Sequence, residues 1–175
     1  MVKSYFFKII VVGDGGVGKT TMVKRLCYGK FIPQKITIGT DLAMYDLTLN
    51  NTLYKLQLWD FAGEKRFRFF LPSYCRGADA CIFVFDLTRY QSFPSLQEWY
   101  DIVMQNTENL ATLLVGSKLD LAIDMRQISP EEAIEFQHAH KIDDYIETSS
   151  KSGENNRHVF ETITLKIVEK RQLQI

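Results

Sequence analysis

A glycine-rich segment at residues 13–20, with the sequence GDGGVGKT, ends in a lysine and a threonine. It fits the pattern G-x-x-x-x-G-K-[ST], and it lies between a strand-like apolar run and a helical pattern, as that motif requires. Glycines allow backbone N–H groups to turn toward phosphate oxygens, and the N-terminus of the following helix adds positive potential. Lys19 is then expected to pair with β- and γ-phosphates, and the Thr20 hydroxyl to bind Mg²⁺. A plain strand-to-helix turn would explain the glycines but not the lysine and threonine.

Two further residues with suitable chemistry follow a second apolar run, at residues 53–60. Asp60 ends that run, and Gly63 follows it in the sequence DFAG. A lone aspartate at a strand end is usually a turn former, but the D-x-x-G spacing downstream of a phosphate-binding segment favours a functional role. We expect Asp60 to contact Mg²⁺ through a water molecule, and the backbone N–H of Gly63 to approach the γ-phosphate.

The elements that must position these residues alternate along the chain as apolar runs and helical patterns. This alternation predicts an α/β fold in three layers, in which a six-stranded, mostly parallel sheet carries helices on both faces. Residues 41–49 and 52–61 are expected to form a hairpin, because the intervening asparagines tolerate positive φ. The other predicted strands are at residues 5–13, 78–88, 110–118 and 144–150, and helices are predicted at about 18–28, 92–106, after Ser129, and from 154 onward.

The composition is that of an ordinary globular protein, since 46% of the 175 residues are hydrophobic and 24% are charged. We expect residues 1–175 to form a single domain. The 21 basic and 21 acidic residues cancel, so no nucleic acid or anionic membrane is expected as a partner. The apolar runs are too short to span a membrane, and the N-terminus lacks the layout of a signal peptide. Together with the absence of a disulfide pattern among three cysteines, these features predict a cytoplasmic protein.

The motifs taken together resemble the Ras-like small GTPases, and within them the Rab branch. The segment TIGTD at residues 37–41 resembles the first switch of that family, and WDFAGEKRFR at 59–68 resembles the second. The segments LLVGSKLD at 113–120 and ETSSKSGENNRHVF at 147–160 follow in the expected order. The resemblance implies the P-loop NTPase fold and a monomeric switch that binds GTP or GDP with Mg²⁺ and slowly hydrolyses GTP. It also implies protein effectors, an exchange factor and a GTPase-activating protein as partners of the switch loops.

The resemblance also implies roles for individual residues. Thr37 would bind Mg²⁺ and the γ-phosphate, and Phe31 would pack against the base or ribose. Lys118 would lie along the guanine face, Asp120 would accept hydrogen bonds from guanine N1–H and the exocyclic amine, and the Ser150 N–H would donate to O6. A carboxylate suits this reading because it accepts from two adjacent donors on one base edge. Together with Glu64, Lys19 and Gly63 as the catalytic group, the expected nucleotide-binding residues are Gly15, Gly16, Val17, Gly18, Lys19, Thr20, Thr21, Phe31, Thr37, Gly63, Ser117, Lys118, Asp120, Ser149, Ser150 and Lys151.

Two residues depart from the family pattern inside these motifs. Ser117 stands where the family has asparagine, and a shorter side chain predicts nucleotide affinity weaker by about 1–2 kcal/mol. Glu64 stands where most relatives have a glutamine that orients the attacking water. Its carboxylate keeps the hydrogen-bond acceptor and loses the donor. Either it accepts the water proton well, or charge repulsion turns it outward; we expect slow but retained hydrolysis.

The first switch departs from the family as well. The segment from Phe31 to Thr37 is one residue shorter than in the family, and Gln34 replaces an aromatic residue. We therefore expect looser closure over GTP and faster nucleotide exchange than in close relatives. The printed sequence also lacks the C-terminal cysteines of prenylated relatives. Either a lipidated tail that would attach the protein peripherally to membranes lies outside the sequence, or no lipid anchor is used.

Two other functions are compatible with parts of the pattern. Glu64 and Ser117 together would suit a GTP-binding interaction module with little or no turnover. The lysine of the phosphate-binding segment is also found in P-loop kinases for small substrates. Asp120 and the absence of an arginine-rich lid segment argue against the kinase.

Overall fold

A six-stranded sheet with the strand order β2-β3-β1-β4-β5-β6 forms the centre of the molecule. The computed structural model describes residues 3–35 and 37–173. β2 and β3 pair in antiparallel orientation, and the other neighbouring strands pair in parallel. The strands are β1 (Ser4–Val12), β2 (Thr40–Leu49), β3 (Thr52–Phe61), β4 (Ala80–Asp86), β5 (Ala111–Ser117) and β6 (Asp144–Thr148). The predicted sheet is confirmed, and so is the hairpin between β2 and β3, whose turn residues Asn50 and Asn51 both have positive φ.

Helices cover both faces of this sheet. They are α1 (Lys19–Tyr28), α2 (Leu71–Cys75), α3 (Leu96–Gln105), α4 (Leu119–Met125), α5 (Pro130–Ala139) and α6 (Asn156–Lys170). One apolar core joins α1 and α6 to the sheet, and a second core joins α2, α3, α4 and α5 to the opposite face. The three-layer α/β prediction is therefore confirmed.

Strand β1 shows why the apolar runs are continuous rather than alternating. Phe7, Ile9 and Val11 are buried in the core beneath α1 and α6, whereas Ile10 and Val12 are buried in the other core. Because both faces of a parallel sheet are covered, each position along such a strand favours an apolar side chain. The same burial fixes the carboxyl end of β1, from which the glycine-rich segment starts.

Several predicted boundaries were wrong, and short helices were missed. The helix predicted at 92–106 begins at Leu96, after a 3-10 turn at Tyr90–Ser92. The strand predicted at 144–150 ends at Thr148, and the last helix begins at Asn156. Missed altogether were α2, α4 and a 3-10 helix at Lys65–Phe70. These helices are too short to show a clear period in the sequence.

The start of α5, in contrast, was predicted from its capping residues. The Ser129 hydroxyl accepts from the Glu132 N–H at 3.1 Å, and the Glu132 carboxylate accepts from the Ser129 N–H at 2.8 Å. This reciprocal pair satisfies two of the unpaired N–H groups at the helix N-terminus. Within residues 3–35 and 37–173, no helix is long and apolar enough to cross a bilayer.

The exit from β1 yields a stability prediction. Gly13 has a φ of +142°, and a Cβ there would lie 2.1 Å from the carbonyl oxygen of Val84. Gly13→Ala should therefore lower the free energy of unfolding by about 3 kcal/mol or more, measured by urea denaturation. Gly29→Ala is the matched control, since Gly29 has a φ of +68° and nothing within 4 Å of a Cβ; it should cost about 1 kcal/mol. Equal losses would contradict the role assigned to the Val84 contact.

Candidate functional site

A cavity of about 390 Å³ opens where the phosphate loop, defined here as residues 13–20, meets the loops after β3, β5 and β6. This volume lies within the range of small-molecule sites. The structure brings together all of the predicted nucleotide-binding residues except Val17 and Ser149, which lie behind the lining. The lining consists of Gly15, Gly16, Gly18, Lys19, Thr20, Thr21, Phe31, Pro33, Gln34, Lys35, Thr37, Gly63, Ser117, Lys118, Asp120, Leu121, Ser150 and Lys151.

Lys19 supplies a buried cation at the floor of the phosphate loop. Its side chain is only 5% exposed, and Nζ donates to the carbonyl oxygens of Gly13 at 2.8 Å and Asp14 at 2.9 Å. Burial lowers the pKa of Lys19 to about 8, although nearby carboxylates oppose the shift. An anionic ligand in this cavity would stabilise the charged ammonium group, because opposite charges favour ionisation.

Three side-chain oxygens converge next to Lys19. The Thr20 and Thr37 hydroxyl oxygens lie 2.6 Å apart, and the Thr20 hydroxyl also donates to Oδ2 of Asp60. Asp60 is buried, and its Oδ1 has no hydrogen-bond partner among the described residues. Burial raises the pKa of Asp60 to about 6, against the lowering effect of the Thr20 hydrogen bond. An unpartnered buried carboxylate oxygen beside two hydroxyl groups fits a hard divalent cation such as Mg²⁺.

Gly63 lies directly against the phosphate loop. A Cβ on Gly63 would come within 2.1 Å of the Gly15 nitrogen and 2.2 Å of the Asp14 carbonyl carbon. Real side chains do not approach backbone atoms so closely, so this arrangement requires glycine. At Gly63, the second switch, residues 59–68, therefore contacts the phosphate loop through backbone atoms.

Glu64 follows Gly63 but does not line the cavity. Its carboxylate pairs with the Nε of Arg66 at 2.8 Å. The Glu64 carboxylate is thus engaged with a cation of the second switch, and the expected slow but retained hydrolysis stays a prediction. Lys19 and Gly63, the other predicted catalytic residues, both line the cavity.

The opposite end of the cavity contains the predicted guanine-reading residues. The buried Ser149 hydroxyl donates to Oδ1 of Asp120 at 2.6 Å and so orients the carboxylate. Lys118 has a φ of 63°, and its Nζ pairs with Oδ2 of the buried Asp86 at 2.6 Å. Ser149 thus acts behind the cavity wall, whereas Asp120 and Lys118 face the cavity.

Ser117 joins the two ends of the cavity. Its hydroxyl lies 2.5 Å from the carbonyl oxygen of Val17 and 2.9 Å from that of Phe85, and the residue is 4% exposed. The contact with Val17 links the end of β5, which leads to the predicted guanine-binding residues Lys118 and Asp120, to the phosphate loop. One hydroxyl proton serves two carbonyl acceptors, and the expected weaker nucleotide affinity stays a prediction.

Asp14 organises a network that the sequence did not predict. Its carboxylate accepts from Arg68 at 3.0 Å, from the Trp99 indole N–H at 2.9 Å and from the Ser95 hydroxyl at 2.6 Å. Arg68 is 5% exposed, also pairs with Glu98, and lies over the Trp99 ring at 4.3 Å. The network joins the second switch and α3 to the phosphate loop. Asp14 occupies a variable position of the glycine-rich motif, so the pattern carried no signal for it.

The first switch approaches the same loop despite its short length. Thr37 reaches Thr20, as described above, and the Gln34 amide donates to the Ile32 carbonyl at 2.8 Å. Ile36 lies outside the described residues, so the expectation of looser closure and faster exchange stays a prediction. Phe31 lines the cavity and is 41% exposed, which leaves a ring face available to a ligand.

Comparison with known proteins agrees with this geometry. The sequence model of the Ras family matches residues 8–169. The chain is 40% identical over 166 residues to the human Ras-related protein Rab-30, covering 94% of this chain and 81% of that protein. It is 42% identical over 158 residues to the Ras-related protein Rab-19 of Xenopus laevis, covering 89% and 74%. It is 35% identical over 175 residues to the GTP-binding protein ypt3 of Schizosaccharomyces pombe, covering 97% and 81%.

The Ser117 tie predicts a specific loss of nucleotide affinity. Ser117→Ala removes the donor to the Val17 carbonyl, so the dissociation constant for GDP should rise about tenfold, as expected for one buried hydrogen bond. Thr164→Ala is the matched control, because Thr164 also buries a hydroxyl, bonded to the Phe160 carbonyl within α6. It should lower stability without changing GDP affinity. Unchanged GDP affinity in Ser117→Ala, measured by fluorescence titration, would remove the tie from the binding mechanism.

Proposed function

The chain belongs to the Ras family, and we propose that the cavity described above holds GTP or GDP together with Mg²⁺ through the residues that line it. Members of this family are guanine-nucleotide-binding switches that hydrolyse GTP, and this chain is such a small GTPase. The observation that supports the placement best is the cavity itself. It has a buried cation at one end and the oriented carboxylate of Asp120 at the other.

The phosphates would occupy the end of the cavity formed by the phosphate loop. Lys19 would exchange its bonds to the Gly13 and Asp14 carbonyls for β- and γ-phosphate oxygens, while backbone N–H groups around Gly16 and Gly18 cradle the same charge. Guanine would lie at the other end, between Phe31 and the Lys118 side chain. Its N1–H and amine would donate to Asp120, and the Ser150 N–H would donate to O6. Two further lining residues, Thr21 and Lys151, and the supporting residues Val17 and Ser149 would complete this site.

Mg²⁺ would be held by the hydroxyls of Thr20 and Thr37, with Asp60 as the nearby carboxylate. When bound, it neutralises negative charge on the β- and γ-phosphates. Thr37 would thus connect the first switch to the nucleotide, and Asp60 would connect the end of β3. Because Thr37 belongs to a loop and Asp60 to a buried strand, loss of the γ-phosphate would release the first more easily than the second.

Hydrolysis would proceed by attack of a water oxygen on the γ-phosphorus. The bond between the γ-phosphorus and the bridging oxygen breaks, its electron pair passes to GDP, and the water protons end on inorganic phosphate and solvent. Gly63 would position its N–H at the γ-phosphate, and Lys19 would stabilise the phosphate charge. Glu64 would orient the water only after leaving its pair with Arg66. We therefore propose a slow intrinsic rate.

The switch loops also present apolar side chains to solvent. Ile38 of the first switch is 77% exposed, and Phe69, which follows the second switch, is 81% exposed. Exposed apolar groups close to a nucleotide-sensitive loop suit protein partners whose binding depends on the nucleotide. We propose effectors, an exchange factor and a GTPase-activating protein as these partners, with residues 1–175 as one monomeric domain. A cytoplasmic site of action, with any membrane contact peripheral, completes the proposal.

A single-turnover assay tests this function. Purified protein is loaded with GTP, with and without Mg²⁺, and parallel samples are offered ATP. We expect GTP to be retained and phosphate to be released over minutes to hours only with Mg²⁺, while ATP is not retained, because Asp120 lacks its two donors on adenine.

Two other results would each contradict part of the proposal. Stable retention of GTP with no phosphate released would show a GTP-binding interaction module, with Glu64 unable to support hydrolysis. Equal retention of ATP would overturn the assignment of Asp120. The variant Asp120→Ala tests this assignment directly. It should lose GTP retention while keeping the fold, because Asp120 lines the cavity.

A further inference from the structure

Arg89 lies beside the phosphate loop, although no sequence motif singles it out. Its Nη2 donates to the carbonyl oxygen of Gly15 at 2.7 Å. Its Nη1 lies 3.7 Å from the position that a Cβ would take on Gly16. Arg89 is not a lining residue, but Gly15 and Gly16 both line the cavity, so the guanidinium group lies next to the phosphate-binding end.

The charge of Arg89 is available to a ligand. The two arginines of the second switch are engaged by carboxylates, since Arg66 pairs with Glu64 and Arg68 pairs with Asp14. Arg89 is exposed, and within the described ranges 3–35 and 37–173 its guanidinium forms no ion pair with a carboxylate. Its observed partner, the Gly15 carbonyl, is neutral and is readily exchanged for a phosphate oxygen, which binds guanidinium more strongly.

The backbone that carries Arg89 is fixed to the core. Its N–H donates to the Asp86 carbonyl at 3.0 Å, and its carbonyl accepts from the Ser92 hydroxyl at 2.7 Å. Asp86 and Ser92 are 2% and 1% exposed. A guanidinium on a flexible side chain is thus presented from a rigid turn, as a positioned catalytic group requires.

We infer that Arg89 is a phosphate-contacting arginine supplied by the chain itself, whose guanidinium leaves the Gly15 carbonyl and binds β- and γ-phosphate oxygens as GTP is hydrolysed. The inference rests on the proposed GTP hydrolysis. As water attacks the γ-phosphorus and the bond to the bridging oxygen breaks, negative charge grows on that oxygen, and Arg89 N–H groups stabilise it. Glu64 lacks the amide donor that glutamine would offer, so Arg89 supplies donors that this second switch does not.

The test compares Arg89→Ala and Arg89→Lys with the wild-type chain in single-turnover hydrolysis with Mg²⁺. We expect the rate constant of Arg89→Ala to fall at least about tenfold, since arginines in this role contribute strongly to the rate. GTP affinity should change less than about threefold, as expected for a contact that strengthens in the transition state. The rate constant of Arg89→Lys should lie between those of the wild-type chain and Arg89→Ala, because lysine keeps the positive charge but lacks the planar guanidinium group. Arg157→Ala is the matched control, since Arg157 is an exposed arginine of α6 paired with Glu161, and its rate should equal that of the wild type.

A second measurement does not depend on turnover. GDP with aluminium fluoride mimics the transferring phosphoryl group, and its capture is followed by fluorine NMR without any partner protein. We expect capture by the wild-type chain, loss of capture in Arg89→Ala, and partial recovery of capture in that variant by added methylguanidinium.

The outcomes distinguish failure of the Arg89 inference from failure of the proposed GTP hydrolysis. Equal rate constants for wild type and Arg89→Ala would overturn the inference. Equal weakening of GTP and GDP binding in Arg89→Ala, with an unchanged rate constant, would also overturn it. Arg89 would then only stabilise the phosphate loop through its hydrogen bond to the Gly15 carbonyl. If the wild-type chain releases no phosphate, the proposed hydrolysis fails. Capture of aluminium fluoride that depends on Arg89 would then still support the contact, and capture that is absent or independent of Arg89 would overturn it.

Discussion

The backbone of Gly63 touches the backbone of the phosphate loop with no space for a side chain, and the rest of the site is arranged around that contact. A Cβ on Gly63 would lie 2.1 Å from the Gly15 nitrogen, so movement of either segment is transmitted directly to the other. Asp14 adds a second link, because it binds Arg68 of the same switch segment. We therefore expect a change in the occupant of the phosphate loop to reach the second switch through these two contacts.

The base-reading end is attached to the same loop by different chemistry. Ser117 bonds the Val17 carbonyl, and Lys118 pairs with Asp86 at the end of β4. The turn that begins at Asp86 carries Arg89, which returns to the Gly15 carbonyl. The two ends of the cavity are thus joined partly through the buried polar groups Ser117 and Asp86, whose loss costs more than that of exposed ones. This arrangement explains how a serine in place of asparagine is compatible with an intact loop geometry.

The sequence was sufficient for the sheet, the hairpin and most of the cavity, because glycines, buried apolar runs and capping residues act locally. It was insufficient where the structure is determined by contacts between residues far apart in the sequence. The network of Asp14, Arg68 and Trp99 joins residues far apart in the chain. The role inferred for Arg89 depends on the position of the turn after β4 relative to the phosphate loop. The short helices α2 and α4 are stabilised by packing rather than by periodicity. Val17 and Ser149 belong to the motifs, yet the fold places them behind the cavity, where they orient Ser117 and Asp120 through hydrogen bonds.

The central claim is that the γ-phosphate controls the second switch through the phosphate loop. Hydrogen–deuterium exchange on Mg²⁺ complexes with GDP and with a non-hydrolysable GTP analogue tests it most directly. We expect the amides of residues 63–70 to exchange more slowly with the analogue, while those of β5 are unchanged, because β5 is buried in the sheet. The same exchange at residues 63–70 in both complexes would contradict the claim, since the contact between Gly63 and the loop would then be insensitive to the nucleotide.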